Sequence, residues 1–348
     1  MNRPARRTVL AACVASTLTA CADTPLQNTS GAASPSVVPA TTTPPRRAGT
    51  TPDPRAVKAN ELGVIPVLMY HRLTSRAAGE YDMTPAFFRA QLERLYRENY
   101  HPIRAVDLAR GLIRVPAGKT PCVLTFDDST AGQFGYDRAG RISAASAAGI
   151  LLDFARRRPG FPAVATLYLN KLPFGLSGAA AVRAVRDLTA HGFEVGNHTW
   201  SHANLENLDD RQVQAEIGRL AEFISQAVPE HPARTLALPL GVHPRNRQLM
   251  ITGASKGSEY RNDAVLLVGA NPCLSPFHRD FDPHAIPRIR VTSYRGGTGR
   301  LLSTYWLDEL AAHPEKKYIS AGNPSRITFP RALAAEAAPR LRGRITTY

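Results

Sequence analysis

The sequence predicts an α/β fold built on a parallel sheet. Two observations carry that expectation. Seven short apolar runs recur along the chain with helix-like stretches between most of them. Several of those runs end in acids, histidines or a turn, and reactive groups in such folds sit at the carboxyl ends of strands. The runs are 64–70, 122–126, 163–169, 193–195, 235–238, 264–268 and 285–291. The clearest helix spans 84–99, with Thr84 as N-cap, Pro85 in the first turn, and Phe88, Leu92, Leu95 and Tyr96 on one stripe. Further helices are expected near 106–114, 144–158, 182–190 and 212–226. The sheet is either a barrel or an open doubly wound sheet, and it shows no internal repeat.

The N-terminus is organised differently. Arg3, Arg6 and Arg7 precede an uncharged, mostly apolar run from Val9 to Ala20, followed by Cys21. A positive start, a short apolar stretch and small residues before a cut site make an export signal. The run is too short to cross a bilayer, which takes about 20 apolar residues. Leu18-Thr19-Ala20-Cys21 resembles the lipobox of bacterial lipoproteins, which implies a lipid on Cys21; a plain secretory signal with a chance cysteine is the alternative. Arg6-Arg7 permits twin-arginine export, although the surrounding match is loose. From Cys21 to about residue 60 the chain is rich in Pro, Thr, Ser and Ala and lacks a hydrophobic period. It is a semi-rigid spacer. The expected organisation is a signal at 1–20, a tether at 21–61 and one domain at 62–348.

Composition excludes several classes. Hydrophobic residues make up 43% and charged residues 20%, unlike collagen-like, wholly disordered or polytopic membrane chains. Four cysteines in 348 residues exclude a disulfide-built scaffold. Lys and Arg number 43 against 28 acids, a net +15 that first suggests nucleic acid or an anionic surface. Removing residues 1–20 takes away three arginines and no acids, leaving +12. The tether holds four bases and three acids, leaving +11 on the domain. An exported chain has no nucleic acid to meet, so wall polymers and lipid headgroups are the expected anionic partners.

The candidate chemistry lies at the run ends. Tyr70-His71 ends the first, Asp127-Asp128 the second, Asn197-His198 the fourth and Pro239-Leu240-Gly241 the fifth. Adjacent carboxylates on a turn point differently, so one can bind a metal while the other acts as a base. His198 and His202, four residues apart, can reach one ion if the segment is helical or tightly looped. An Asp and two His form a three-ligand site with open positions, as catalytic zinc requires.

These residues resemble the polysaccharide deacetylases of carbohydrate esterase family 4. The family's first motif stands as Thr125-Phe126-Asp127-Asp128 and its second as His198-Thr199-Trp200-Ser201-His202. Val67-Leu68-Met69-Tyr70-His71, Ala165-Thr166-Leu167-Tyr168-Leu169 and Gly192-Phe193-Glu194-Val195-Gly196-Asn197 resemble its flanking strands. The resemblance, covering about 64–291, implies a distorted, incomplete (β/α)7 barrel. It implies Asp127 as general base, with Asp128, His198 and His202 holding a divalent metal: zinc, or cobalt, nickel or manganese. The third motif supplies an oxyanion-binding backbone N–H, here at Leu240 in Ala237-Leu238-Pro239-Leu240-Gly241. Its usual Arg is replaced by Ala237 and its Tyr by Leu240. Arg288 is the candidate for the missing charge. No clean Leu-x-His stands near the end, so His71 is the candidate general acid, with His278 and His284 behind it.

The expected activity is removal of N-acetyl groups from an amino-sugar polysaccharide, by a monomer lipid-anchored at the cell envelope. A carbohydrate-binding lipoprotein that has lost turnover is the rival. A two-His-one-carboxylate iron oxygenase fits poorly, because its acid follows the first His by two residues. Cys122 and Cys273 are expected to stay unpaired, on the argument that Cys273 lies near the active face, beyond the ~7 Å that a bridge tolerates.

Overall fold

Residues that are apolar on both faces belong in a covered parallel sheet, and the computed structural model of the protein places them in one. It describes residues 52–295, 299 and 302–348. The signal, Cys21 and the tether up to residue 51 lie outside the described residues. The sheet contains β1 (Val67–Tyr70), β2 (Tyr100–Ile103), β3 (Thr120–Phe126), β4 (Thr166–Leu169), β5 (Glu194–Asn197), β6 (Thr235–Ala237), β7 (Ala264–Leu266) and β8 (Ile289–Arg290). Their order is β7-β6-β5-β4-β3-β1-β8, with β2 added beside β3, and every pairing is parallel. The first half of β3 pairs with β2 and its end pairs with β4, so the sheet forks there. This is an incomplete seven-strand barrel of the deacetylase type. A parallel bridge between Leu266 and Ile286, just before β8, spans its open seam.

Strand parity divides the core into layers. Leu68, Tyr70, Leu124, Phe126, Leu167 and Leu169 face the helices. Val67, Val123, Tyr168, Ala237, Ala264 and Leu266 face the barrel interior. Thr125 and Asp127 share the parity of Val123, so the interior becomes polar towards the carboxyl ends. At the other end Glu194, the first residue of β5, accepts bonds from Thr166 Oγ1 (2.8 Å), Thr235 Oγ1 (2.8 Å) and the Val106 N–H (3.1 Å). Gly196 is required where it stands, since a Cβ there would come within 2.4 Å of the Tyr168 ring.

The helices follow their sequence signals. In α1 (Pro85–Arg97) the Thr84 hydroxyl accepts the Phe87 N–H at 3.2 Å, and Phe88, Leu92 and Leu95 are buried. Short α2 (Ala105–Ala109), α3 (Ala147–Arg157) and α4 (Gly178–Ala190) follow, the last starting earlier than expected. A reciprocal Asp209–Gln212 capping box opens α5 (Asp210–Ala227). Among the elements that escaped the sequence reading are β2, broken by His101 and Pro102, and α6 (Ser303–Ala312). The expected strand at 285–291 shrinks to β8.

Cys122 and Cys273 are both free. The expected placement of Cys273 was wrong, however. It bridges Ile65, just ahead of β1, and so lies at the amino end of the barrel, the same end as Cys122. Packing separates the two thiols, Cys122 towards the helices and Cys273 in the interior layer. No helix among the described residues is long and apolar enough to cross a membrane.

Candidate active site

The carboxyl ends of β1, β3 and β5 deliver the acidic and histidine residues to one mouth, and that of β6 brings Leu240. Backbone strain concentrates there. Asp128 (φ 71°), Ser129 (44°), Thr199 (62°), His202 (58°) and Leu240 (58°) all occupy the left-handed region. Non-glycine residues pay roughly 1–3 kcal/mol each for such backbones and keep them only when the surroundings over-determine the loop. Here hydrogen bonds do so. Asn170, at the end of β4, donates from Nδ2 to the carbonyls of His198 (2.7 Å) and Thr199 (2.8 Å). Its own N–H donates to Ser129 Oγ at 3.2 Å. The Asn197 side chain accepts the Thr199 N–H (2.8 Å) and donates to the Ile217 carbonyl (2.9 Å). The His198–His202 segment is therefore a tight loop, not a helix.

Asp128, His198 and His202 converge, their ligand atoms lying within 4.8 Å of one another. Asp128 Oδ1 is 3.4 Å from Nε2 of both histidines. Bonds of about 2.1 Å arranged tetrahedrally put ligand atoms about 3.4 Å apart, so the donors fit a zinc-sized ion. His198 Nδ1 lies 2.8 Å from the Ala237 carbonyl. A carbonyl can only accept, so that nitrogen carries the proton and the Nε2 lone pair is turned to the site. Burial works against charge on His198, but Asp127 and Asp128 outweigh it and raise its pKa. Burial would also raise Asp128, but its bond to His198 and the charges of His198 and His71 together more than reverse this, leaving it lowered. His202 is lowered by burial and by His198.

Asp127 is buried beside this group and held by Arg288, which is fully enclosed (0% exposed) rather than a surface residue. Arg288 Nη1 and Nη2 donate to Asp127 Oδ1 and Oδ2, both at 2.7 Å. Its Nε donates to the Leu267 carbonyl at 2.8 Å, stitching the barrel seam. Burial alone would raise the Asp127 carboxyl. The Arg288 guanidinium, with His198 and His71, outweighs burial and holds it far below the ordinary carboxylate range. His71 Nε2 stands 3.8 Å from Asp127 Oδ2. Burial pushes His71 down to about 4 against the pull of both aspartates, leaving the imidazole neutral at pH 7.

His71, Asp127, Asp128, His198 and His202 line a cleft of about 160 Å³ together with Tyr81 and Leu240. Leu240 is 60% exposed. Its N–H donates to no described residue, whereas the following N–H of Gly241 is bonded to the Leu238 carbonyl. The structure thus brings Asp127, Asp128, His198, His202, His71, Leu240 and Arg288 together. His278 and His284 are not with them. His278 bridges Ala337, and the His284 N–H bonds Asp282 in a loop whose Pro283 carbonyl meets Val265. Neither lines this cleft.

Several supporting residues went unnoticed in the sequence. Asn170 sits at a strand end and could have been found by the rule that found the others. Gln133, which donates from Nε2 to the carbonyls of both His71 and Asp127, carries no sequence signal. Tyr81, its ring 4.7 Å from the His71 imidazole, carries none either.

Residues 165–253 match the family model for polysaccharide deacetylase, a stretch that includes both histidines and Leu240 but not the aspartates. Among solved structures the chain is similar to a Streptococcus pyogenes deacetylase in complex with acetate. The identity is 18%, over 72% of this chain and 98% of that one, with a TM-score of 0.53. It is also similar to a polysaccharide deacetylase from Bacillus cereus, at 18% identity over 72% of this chain and 69% of that one, with a TM-score of 0.50. At such identities the structures show a shared fold, and the family match shows a polysaccharide deacetylase domain over residues 165–253.

Proposed function

We propose that the protein is a metal-dependent N-deacetylase of an acetylated amino-sugar polysaccharide, peptidoglycan or an exopolysaccharide, tethered at the cell surface by a lipid on Cys21. The observation that carries this reading is the Asp128–His198–His202 donor triangle set beside the buried Asp127–Arg288 pair. A divalent ion held by that triangle, zinc or else cobalt, nickel or manganese, would supply a Lewis acid and a water of lowered pKa.

The chain's own residues do the rest. Asp127 accepts a proton from the attacking water. Arg288 keeps that carboxylate ionised and fixes its plane, from a different strand than the family's usual arginine. The Leu240 N–H, unused by any described residue, donates to the oxygen that becomes negative. A backbone donor survives the Tyr-to-Leu difference in the third motif. His71, neutral and 3.8 Å from Asp127, receives the proton and hands it to the departing nitrogen.

Acetate release from N-acetylglucosamine oligomers tests this reading. Wild-type protein should release acetate, and Asp127→Asn should lower the rate by about 100-fold or more. Absence of release with every one of the four metals would leave the carbohydrate-binding reading instead.

A further inference from the structure

Away from the mouth, a group of arginines lies at the amino ends of the strands. Two adjoining recesses there, of 370 and 350 Å³, share Arg110 and are lined also by Arg114, Arg326, Arg340 and Arg344. The one acid in their lining is Glu61, which is only 3% exposed. Their place in the fold follows from hydrogen bonds. Glu61 pairs through its backbone N–H with Thr328, six residues before the chain enters β1 at Val67. Arg110 ends α2, whose Ala105 and Val106 N–H groups bond Thr166 and Glu194, the first residues of β4 and β5. The C-terminal segment 326–348 caps this end and carries five arginines against one acid, Glu336. Arg110 is paired with Asp263, but Arg114, Arg331 and Arg342 are exposed and meet no acid among the described residues.

We propose that this end docks on an anionic lipid bilayer, so that the catalytic mouth faces away from the membrane. Three observations favour lipid over a polymer. The cations lie at the end opposite the cleft, whereas a grip on a substrate chain belongs beside the cleft. Leu112, 47% exposed, lines the same recess as Arg114 and offers an apolar contact among the charges. The preceding chain also joins the domain here: the Ala59 carbonyl accepts the Tyr348 hydroxyl at 2.9 Å, and Val57 lies against Gly118 near the start of β3. The described chain therefore enters the domain, at residues 57–59, on the end that carries the arginines. This inference stands independently of the catalytic one.

The test uses the full chain with Cys21→Ser, so that no acyl chain contributes, and the same chain with Arg114→Gln, Arg331→Gln and Arg342→Gln added. Binding is measured by co-sedimentation with phosphatidylcholine vesicles, with and without phosphatidylglycerol. A basic residue at an anionic surface is worth about fivefold in partitioning, so the triple change should weaken binding to the anionic vesicles by about 100-fold. Binding to neutral vesicles should not change, and added salt should erase the difference. Acetate release from soluble oligomers should be the same in both proteins, which separates this proposal from the catalytic one. Equal binding of the two proteins to anionic vesicles would overturn it. So would a loss confined to a soluble polyanion such as polyglutamate.

Discussion

Replacing Arg288 by Ala removes one half of an ion pair that is enclosed on all sides, the two residues being 0% and 1% exposed at the side chain. Asp127 would lose two hydrogen bonds of 2.7 Å and the nearest positive charge. The seam would lose the bond to Leu267. Breaking a buried pair from one side costs about 3–5 kcal/mol, because the remaining charge stays desolvated. The melting temperature should fall by about 10 °C on the scale of ordinary domains, with the fold retained. The catalytic consequence has a definite sign. In the intact protein the Asp127 pKa lies far below the ordinary range, so the carboxylate stays ionised through the acid side. Without Arg288 the effect of burial is less opposed and the pKa rises. The variant should then lose proportionally more rate at pH 5 than at pH 8. At pH 8 turnover should fall by about 100-fold, as expected of a base displaced by an ångström. The assay is acetate release across pH, beside a thermal melt; Arg288→Lys, which keeps charge but not the fork, should restore the acid limb in part. A folded Arg288→Ala protein with unchanged turnover and an unchanged pH profile would refute the assigned role.

Further outcomes follow from the same geometry. His198→Gln and Asp128→Asn each remove one corner of the donor triangle and should weaken zinc binding by about 100-fold, measured by competition with a chromophoric chelator. Leu240→Gly keeps the free N–H and relieves the φ of 58°, so turnover should stay within a few-fold of wild type. A larger loss would show that the Leu240 side chain, not its backbone, acts. Glu61 is pushed by burial up to about 7 from 4.5, despite the bonds it accepts from the Ala321 and Thr328 N–H groups. The folded state therefore holds a proton that the unfolded chain releases, so the stability from Glu61 is complete below about 4.5 and disappears as pH rises through 7. Melts of wild type and Glu61→Gln should show the wild type losing ground relative to the variant between pH 5 and pH 8; parallel curves would contradict this.

What the sequence disclosed follows from how locally each feature is encoded. The strand runs are legible because burial on both faces demands uninterrupted apolar residues, and α1 because Thr84 and Pro85 mark its start. The metal-ligand candidates were legible because a parallel sheet gathers its strand ends at one mouth. Arg288 was legible only as a compensation, an arginine near a strand when the motif position held Ala237; nothing local told a surface residue from the most enclosed one. β2 was hidden because Pro102 interrupts it and its strand character comes from pairing with β3, not from its own composition. Cys273 was misplaced because the loop after β7 runs back to the amino end of the barrel, a path that no run of residues announces. Gln133 and Tyr81 were invisible for the same reason: their meaning lies in residues distant along the chain.

The most direct measurement is acetate release from N-acetylglucosamine oligomers as zinc is titrated into protein first stripped with a chelator. Activity should return in proportion to added metal and level off at one equivalent per chain, while Asp127→Asn binds the same equivalent and stays inactive. Full activity in the stripped protein, or full activity in zinc-loaded Asp127→Asn, would contradict the assignment of base and metal site.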